Sequence, residues 1–224
     1  MESDEFESID LTTFTGRLPL FPLPNIVQFP NVVLPLHIFE PRYRSMVADA
    51  LEGDRLLGMV LLKPGFEADY DGCPPIHEVA CLGKIVEDHL LPDGRYNILL
   101  LGAARARILR EVSKSPYRVA EVELIEEVRF DDAEEENVKR LQLRDAACRF
   151  FSGSPGVQEK VKGLFDLRLP LGATADLLAA ATPIDLQEKQ RLLEAPDASE
   201  RVVRLAALLS VPDLGPTRWK PSEN

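Results

Sequence analysis

The sequence predicts an α+β chain in which strands come first and helices follow. Three observations carry that expectation. Short apolar or alternating runs bounded by proline and glycine fill the chain up to about residue 128. From about residue 131 the apolar residues recur instead at helical spacing. Six prolines punctuate the apolar stretch LPLFPLPNIVQFPNVVLPLHIFEPRYRSMV, residues 18 to 47, so its backbone must turn often and pair over only a few residues at a time.

In chain order, residues 1–15 are acidic with little periodic hydrophobicity and read as a mobile tail. Each residue before a proline is pushed towards extended geometry, so Leu18–Leu20, Ile26–Phe29 and Val32–Leu36 are expected as short strand pieces. Glu40-Pro41 then opens a helix. Proline suits its first turn, Tyr43, Met46, Val47, Ala50 and Leu51 fall on one face, and Gly53 stops it. Phe39, Tyr43, Met46 and Val47 are expected to lock this inserted helix onto the sheet. LLGMVLL (56–62) is a buried strand, and Pro92-Asp93-Gly94 is the turn of a hairpin made by HEVACLGKIVEDHLL and RYNILLLGAARARILREV. YRVAEVELIEEV (117–128) alternates, with Val119, Val122 or Leu124 inward and Arg118 and Glu121 outward. Asp132 and Glu135 then stand at capping-box spacing before a long amphipathic helix, which SGSPG (152–156) interrupts. Short helices follow, separated by Pro170, Gly172, Pro183 and Pro196, with Asp197 and Glu200 as a second capping pair. The expected divisions are a tail at 1–15, a β-rich part at 16–128, a helical part at 129–211 and a loose tail at 212–224.

The formal net charge of −11 disfavours phosphate backbones and anionic membranes and permits basic or apolar partners. Three cysteines, Cys73, Cys81 and Cys148, form no disulfide framework, and the acidic N-terminus is no signal peptide, which together point to the cytoplasm. No apolar run is long enough to span a membrane.

The search for chemistry returns near misses. His77-Glu78-Val79-Ala80-Cys81 ends in cysteine and alternates like a strand, which puts the glutamate on the wrong face for a zinc protease. Cys73, His77, Cys81 and His89 match no common zinc spacing. Gly83-Lys84 is followed by Ile85 and lacks the glycine of a phosphate loop, and no G-x-S-x-G supports a nucleophile. Arg105 and Arg107, with Arg95 across the hairpin, read as a solvated strand face rather than a nucleic-acid stripe, given the acidic total. The acidic block Asp131–Glu136 reads as charge bias at a helix start and lacks the ligand spacing of a calcium loop. No catalytic residue, cofactor or metal site is expected.

At LPLFPLPNIVQFPNVVLPLHIFEPRY the chain resembles the opening of the Lon protease N-terminal domain. The likeness continues through GDRLLGMVLL, CLGKIVEDHLLPDGRYNILLLG and PYRVAEVE to ATPIDLQEKQRLLEAPDASERVVRLAALL, from about Arg17 to about Leu209. The resemblance implies a PUA-like β pseudo-barrel with one inserted helix, followed by a compact α-helical bundle. It also implies a stand-alone, non-enzymatic substrate-recognition domain, without the ATPase and serine–lysine peptidase domains that follow in the protease. Its partners would be unfolded or partly unfolded proteins or peptides, with a protease or chaperone acting in trans. An adaptor for one folded partner, as in cereblon-like ubiquitin-ligase adaptors, and an RNA-binding PUA-like protein stand as alternatives, the second against the electrostatics. Within the long Pro/Gly-rich loop Lys63–Ile76, Phe66 and Tyr70 have no regular element to bury them and are the candidate partner-binding residues. The other reading of that loop folds both rings back as a plug over one end of the barrel.

Overall fold

Among the described residues, thirteen elements answer the punctuation of the sequence. The computed structural model describes residues 9–69 and 72–211, which divide into two compact units at Ile125/Glu126.

The first unit holds β1 (Arg17–Leu23), β2 (Val33–Ile38), α1 (Pro41–Glu52), β3 (Leu56–Leu61), a 3-10 turn (Phe66–Asp69), β4 (Val79–Leu90), β5 (Tyr96–Ser113) and β6 (Arg118–Ile125). The strands run β2-β5-β4-β3-β1-β6, and β6 pairs again with β5. So β5, β4, β3, β1 and β6 form a closed circuit with β2 laid on as an outer strand. The 18 residues of β5 make this possible. Its first part pairs with β2 from Tyr96 to Leu101, and its second pairs with β6 from Arg105 to Ser113.

Two strands accept proline because each pairs where the missing donor does no harm. From Arg17 to Leu20, β1 is antiparallel to β6, and from Leu20 to Leu23 it is parallel to β3. Pro19 and Pro22 therefore each sit in a half that has a ladder on one side only. Pro35 lies in β2, whose other side pairs with no strand among the described residues.

Two apolar clusters hold this unit. Ala80, Leu82, Ala106, Ala120 and Val122 meet Leu18, Leu20, Leu56 and Val60 inside the circuit. Outside it, Tyr43, Met46, Val47 and Ala50 of α1 pack on Phe21, Ile38, Leu57, Met59, Ile85, Ile98 and Leu100. Every residue of β3 is buried because its two faces serve the two clusters.

Four expectations are corrected here. Ile26–Phe29 is no strand. Val27 and Phe29 are buried, and the Gln28 side chain takes the place of a ladder by donating to the carbonyls of Leu100 (2.9 Å) and Val32 (3.2 Å). Phe39 is 60% exposed and does not lock α1. It precedes the helix and keeps the parity of β2, so it points with Val33, Pro35 and His37 away from the core. Arg118 turns inward, 7% exposed. Glu111 receives two hydrogen bonds from its guanidinium (2.7 and 2.8 Å) and Pro74 O a third (2.8 Å), which offsets the cost of burial. Arg105 is also buried, so it forms no solvated stripe with Arg107, and Arg95 instead pairs with Asp93 in the hairpin turn.

The second unit contains α2 (Ala133–Phe150), α3 (Pro155–Asp166), α4 (Leu171–Ala181), α5 (Leu186–Glu194) and α6 (Ala198–Leu209). Asp132, Asp185 and Asp197 cap α2, α5 and α6 by accepting from Glu134 N (2.8 Å), Gln187 N (2.8 Å) and Ser199 N (2.7 Å). Arg201 is 1% exposed. It contacts the carboxylates of Glu127 and Asp176 and donates to the carbonyls of Ala195 (2.9 Å) and Pro196 (3.1 Å).

Candidate functional site

Parity along β2 builds the most distinctive surface of the first unit. Leu34, Leu36 and Ile38 face the core side, so Val33, Pro35 and His37 face outward. Register places Val33 opposite Leu101, Pro35 opposite Leu99 and His37 opposite Asn97. Across β5, Leu99 faces Glu87 and Asn97 faces His89, after an irregularity between Ile85 and Glu87 shifts the register of β4. The result is an outer face with an apolar end (Val33, Pro35, Leu99, Leu101) and a polar end (His37, Asn97, His89, Glu87). Phe39 continues the row, its ring stacked 6.2 Å from that of His37.

An open groove of about 320 Å³ runs between these strands, lined by Pro35, Leu36, His37, Glu87, His89, Asn97, Ile98 and Leu99. Its polar end is ordered by a small network. His37 Nδ1 lies 2.7 Å from Asn97 Oδ1, and Arg95 Nη1 lies 3.3 Å from His37 Nε2. An amide oxygen only accepts and a guanidinium only donates, so a neutral ring protonated on Nδ1 satisfies both contacts. Beside the groove, the outer side of β2 pairs with no strand among the described residues. Gly102 N–H donates to Val32 O at 2.9 Å, so ladder alternation turns the backbone groups of Val33, Pro35 and His37 away from β5. A chain lying alongside would find donors at Val33 and His37 and carbonyls at all three. Pro35 interrupts the row of donors, which guards the edge against indefinite strand addition.

The loop that the sequence marked out is closed at its neck. Lys63 N donates to Pro75 O (2.8 Å) and Leu62 bridges Ile76. Phe66 is half-buried at the start of the 3-10 turn, and Tyr70 lies outside the described residues. A more enclosed cavity of about 30 Å³ nearby is lined by Tyr43, Cys73, Pro116 and Arg118, among others. It has room for about one or two waters and none for a side chain. Among the described residues no group of histidine, cysteine and acidic side chains is placed to hold a metal, and no helix is long and apolar enough to cross a membrane.

Sequence reasoning missed Phe39, Val33 and Leu99 as surface groups. The signal was present in VLPLHIF: once Leu34, Leu36 and Ile38 are inward, Val33, Pro35, His37 and Phe39 must be outward. The helical face starting at Tyr43 drew Phe39 into the wrong period.

A model of the ATP-dependent protease La (LON) substrate-binding domain matches residues 17–211. The chain belongs to this family. It is 27% identical to the Lon protease of Cytophaga hutchinsonii over 207 residues, 92% of this chain and 25% of that one. With Lon protease 1 of Thermus thermophilus the identity is 31% over 199 residues, 86% of this chain and 24% of the relative. The chain thus spans about a quarter of the length of the curated relatives it matches. Two solved structures share its fold. A Lon N-terminal domain protein from Xanthomonas campestris superposes with a TM-score of 0.62 at 24% identity, covering 85% of this chain and 97% of the other. The N-terminal domain of a Mycobacterium avium complex Lon protease gives 0.65 at 17% identity, covering 87% and 98%. The Lon-family match includes every strand that builds the outer face, β2, β4 and β5.

Proposed function

We propose that this Lon-family domain is a non-catalytic module that binds exposed apolar, extended segments of other proteins on the outer face of β2, β5 and β4. The observation that carries the reading is Phe39, 60% exposed and stacked on His37, beside an open groove whose apolar walls are Pro35, Leu36, Ile98 and Leu99. A large ring held in water costs solubility and is a usual anchor of recognition. An extended segment would settle alternate side chains into the groove and against Phe39, while its backbone meets the outward main-chain groups of β2. Membership of a substrate-binding family supports protein segments as the ligand class. In this reading the closed strand circuit is the PUA-like pseudo-barrel, and the helical unit is the compact bundle of the same family. Phe66 and Tyr70 are proposed as a second, auxiliary contact from the Lys63–Ile76 loop.

Fluorescence anisotropy with a labelled, reduced and carboxymethylated α-lactalbumin, which stays unfolded, tests the reading. Phe39→Ala combined with Val33→Asp should weaken capture about tenfold or more while the urea midpoint stays put. Unchanged capture by that folded variant overturns the assignment of the face. Phe66→Ala, measured alongside, decides whether the loop contributes.

A further inference from the structure

Of the eight residues that line the groove, only Glu87 carries a formal charge at neutral pH. Its carboxylate is exposed and has no ion-pair partner among the described residues. Two of the neighbouring charges are otherwise engaged. Asp88, on the opposite face of β4, pairs with Arg55 at 2.5 Å. Arg95 pairs with Asp93 at 2.5 Å and reaches His37. Lys84 stands across from Leu101, the next outward position along β5 from Leu99, and is within ion-pair distance of no carboxylate among the described residues. The groove therefore presents one carboxylate without an ion-pair partner among the described residues, set beside Pro35 and Leu99.

We infer that the groove selects extended segments in which apolar residues are accompanied by a lysine or arginine, the cation being placed against Glu87. The inference rests on the binding reading given above and supplies its substrate class. Three features argue for it. Glu87 and Leu99 are direct neighbours across the β4–β5 ladder, so a segment that crosses the face and seats an apolar side chain on Leu99 has the carboxylate within reach of a long cationic side chain. The low polarity of the adjoining Pro35 and Leu99 surface strengthens a charge contact once a ligand excludes water from it. The net charge of −11 attracts cationic segments from a distance and repels acidic ones.

The test uses two labelled synthetic peptides with serine at alternate positions and leucine or phenylalanine at the others, except that one residue of the apolar set is lysine in one peptide and glutamate in the other, so that the charge shares a face with the apolar residues. Binding is read by anisotropy at about 0.02 M and about 1 M ionic strength, where screening is weak and then nearly complete. For the native chain the lysine peptide should bind more tightly at low salt. Glu87→Gln should reduce that preference about two- to fivefold, the size expected of one partly exposed ion pair. Glu123→Gln, an exposed carboxylate on β6 that removes the same unit of charge elsewhere, should preserve it. Equal effects of the two variants would mean that only the overall field discriminates, and the inference falls while the binding reading stands. Equal binding of both peptides by the native chain has the same consequence. If neither peptide binds and Phe39→Ala changes nothing with the unfolded protein, the binding reading and the inference fall together.

Discussion

The Tyr117 hydroxyl donates a 2.6 Å hydrogen bond to the Asp49 carboxylate, fastening the residue before β6 to the second half of α1. Burial, followed by this bond and the charge of Asp49, pushes the phenol up to about 12. An unfolded tyrosine loses its proton near pH 10, so the folded chain binds that proton more tightly. The resulting stabilisation is whole below about pH 10 and disappears as pH climbs through about 12. Tyr117→Phe should cost about 0.5–1.5 kcal/mol at neutral pH and flatten the alkaline fall in stability. Urea unfolding at neutral and alkaline pH, beside the ultraviolet titration of the phenol, checks both effects. An alkaline profile unchanged by the substitution would count against the contact.

Phe39→Ala and Met46→Ala should separate sharply, although both residues lie in the same apolar stretch. Met46 is fully buried beneath α1, and truncation should cost about 2–5 kcal/mol. Phe39 is a surface ring, so its loss should move stability by no more than about 0.5 kcal/mol. Chemical denaturation of the two variants measures the contrast, and a large loss for Phe39→Ala would place the ring in the core.

Gly102→Ala should destabilise the first unit by at least about 1–3 kcal/mol. A Cβ added there would overlap the Phe29 carbonyl oxygen and press on Cys81 Sγ. Both neighbours are held: Phe29 by its own burial and the Gln28 amide beside it, Cys81 by the β4–β5 ladder. An alanine variant that unfolds at the native midpoint would show that the 26–30 segment can give way.

Arg201→Met should cost about 3–5 kcal/mol, because Asp176, 2% exposed, loses a cation that sits 3.3 Å away. Adding Asp176→Leu should restore part of the loss, since two apolar groups bury more readily than a carboxylate that has lost its cation. A double-mutant cycle followed by urea unfolding reads the coupling. Additive losses would mean that the carboxylate has other sufficient partners.

What the sequence determined by itself was local and periodic. Pro41 and Gly53 bracket α1 because ring constraint and backbone freedom act within one turn. Asp132 and Asp197 cap their helices for the same reason. The Pro92-Asp93-Gly94 turn was legible too, and Gly94 does adopt a positive φ of 80°. The run from Arg17 to Leu209 also carried the family likeness, since proline placement and helix entry follow one another in a distinctive order.

Partner choice was decided by the tertiary structure alone. Nothing local says that β1 exchanges β6 for β3 at Leu20, or that 18-residue β5 closes the circuit by touching both β2 and β6. Arg118 looks outward by alternation, yet Glu111 and Pro74 O, both supplied by folding, make its burial affordable. The outer face depends on the same long-range pairing, because Leu99 and Glu87 become neighbours of Pro35 only once β2, β5 and β4 are in register. Local sequence sets which way a side chain points along its own strand; only the assembled sheet sets what stands beside it.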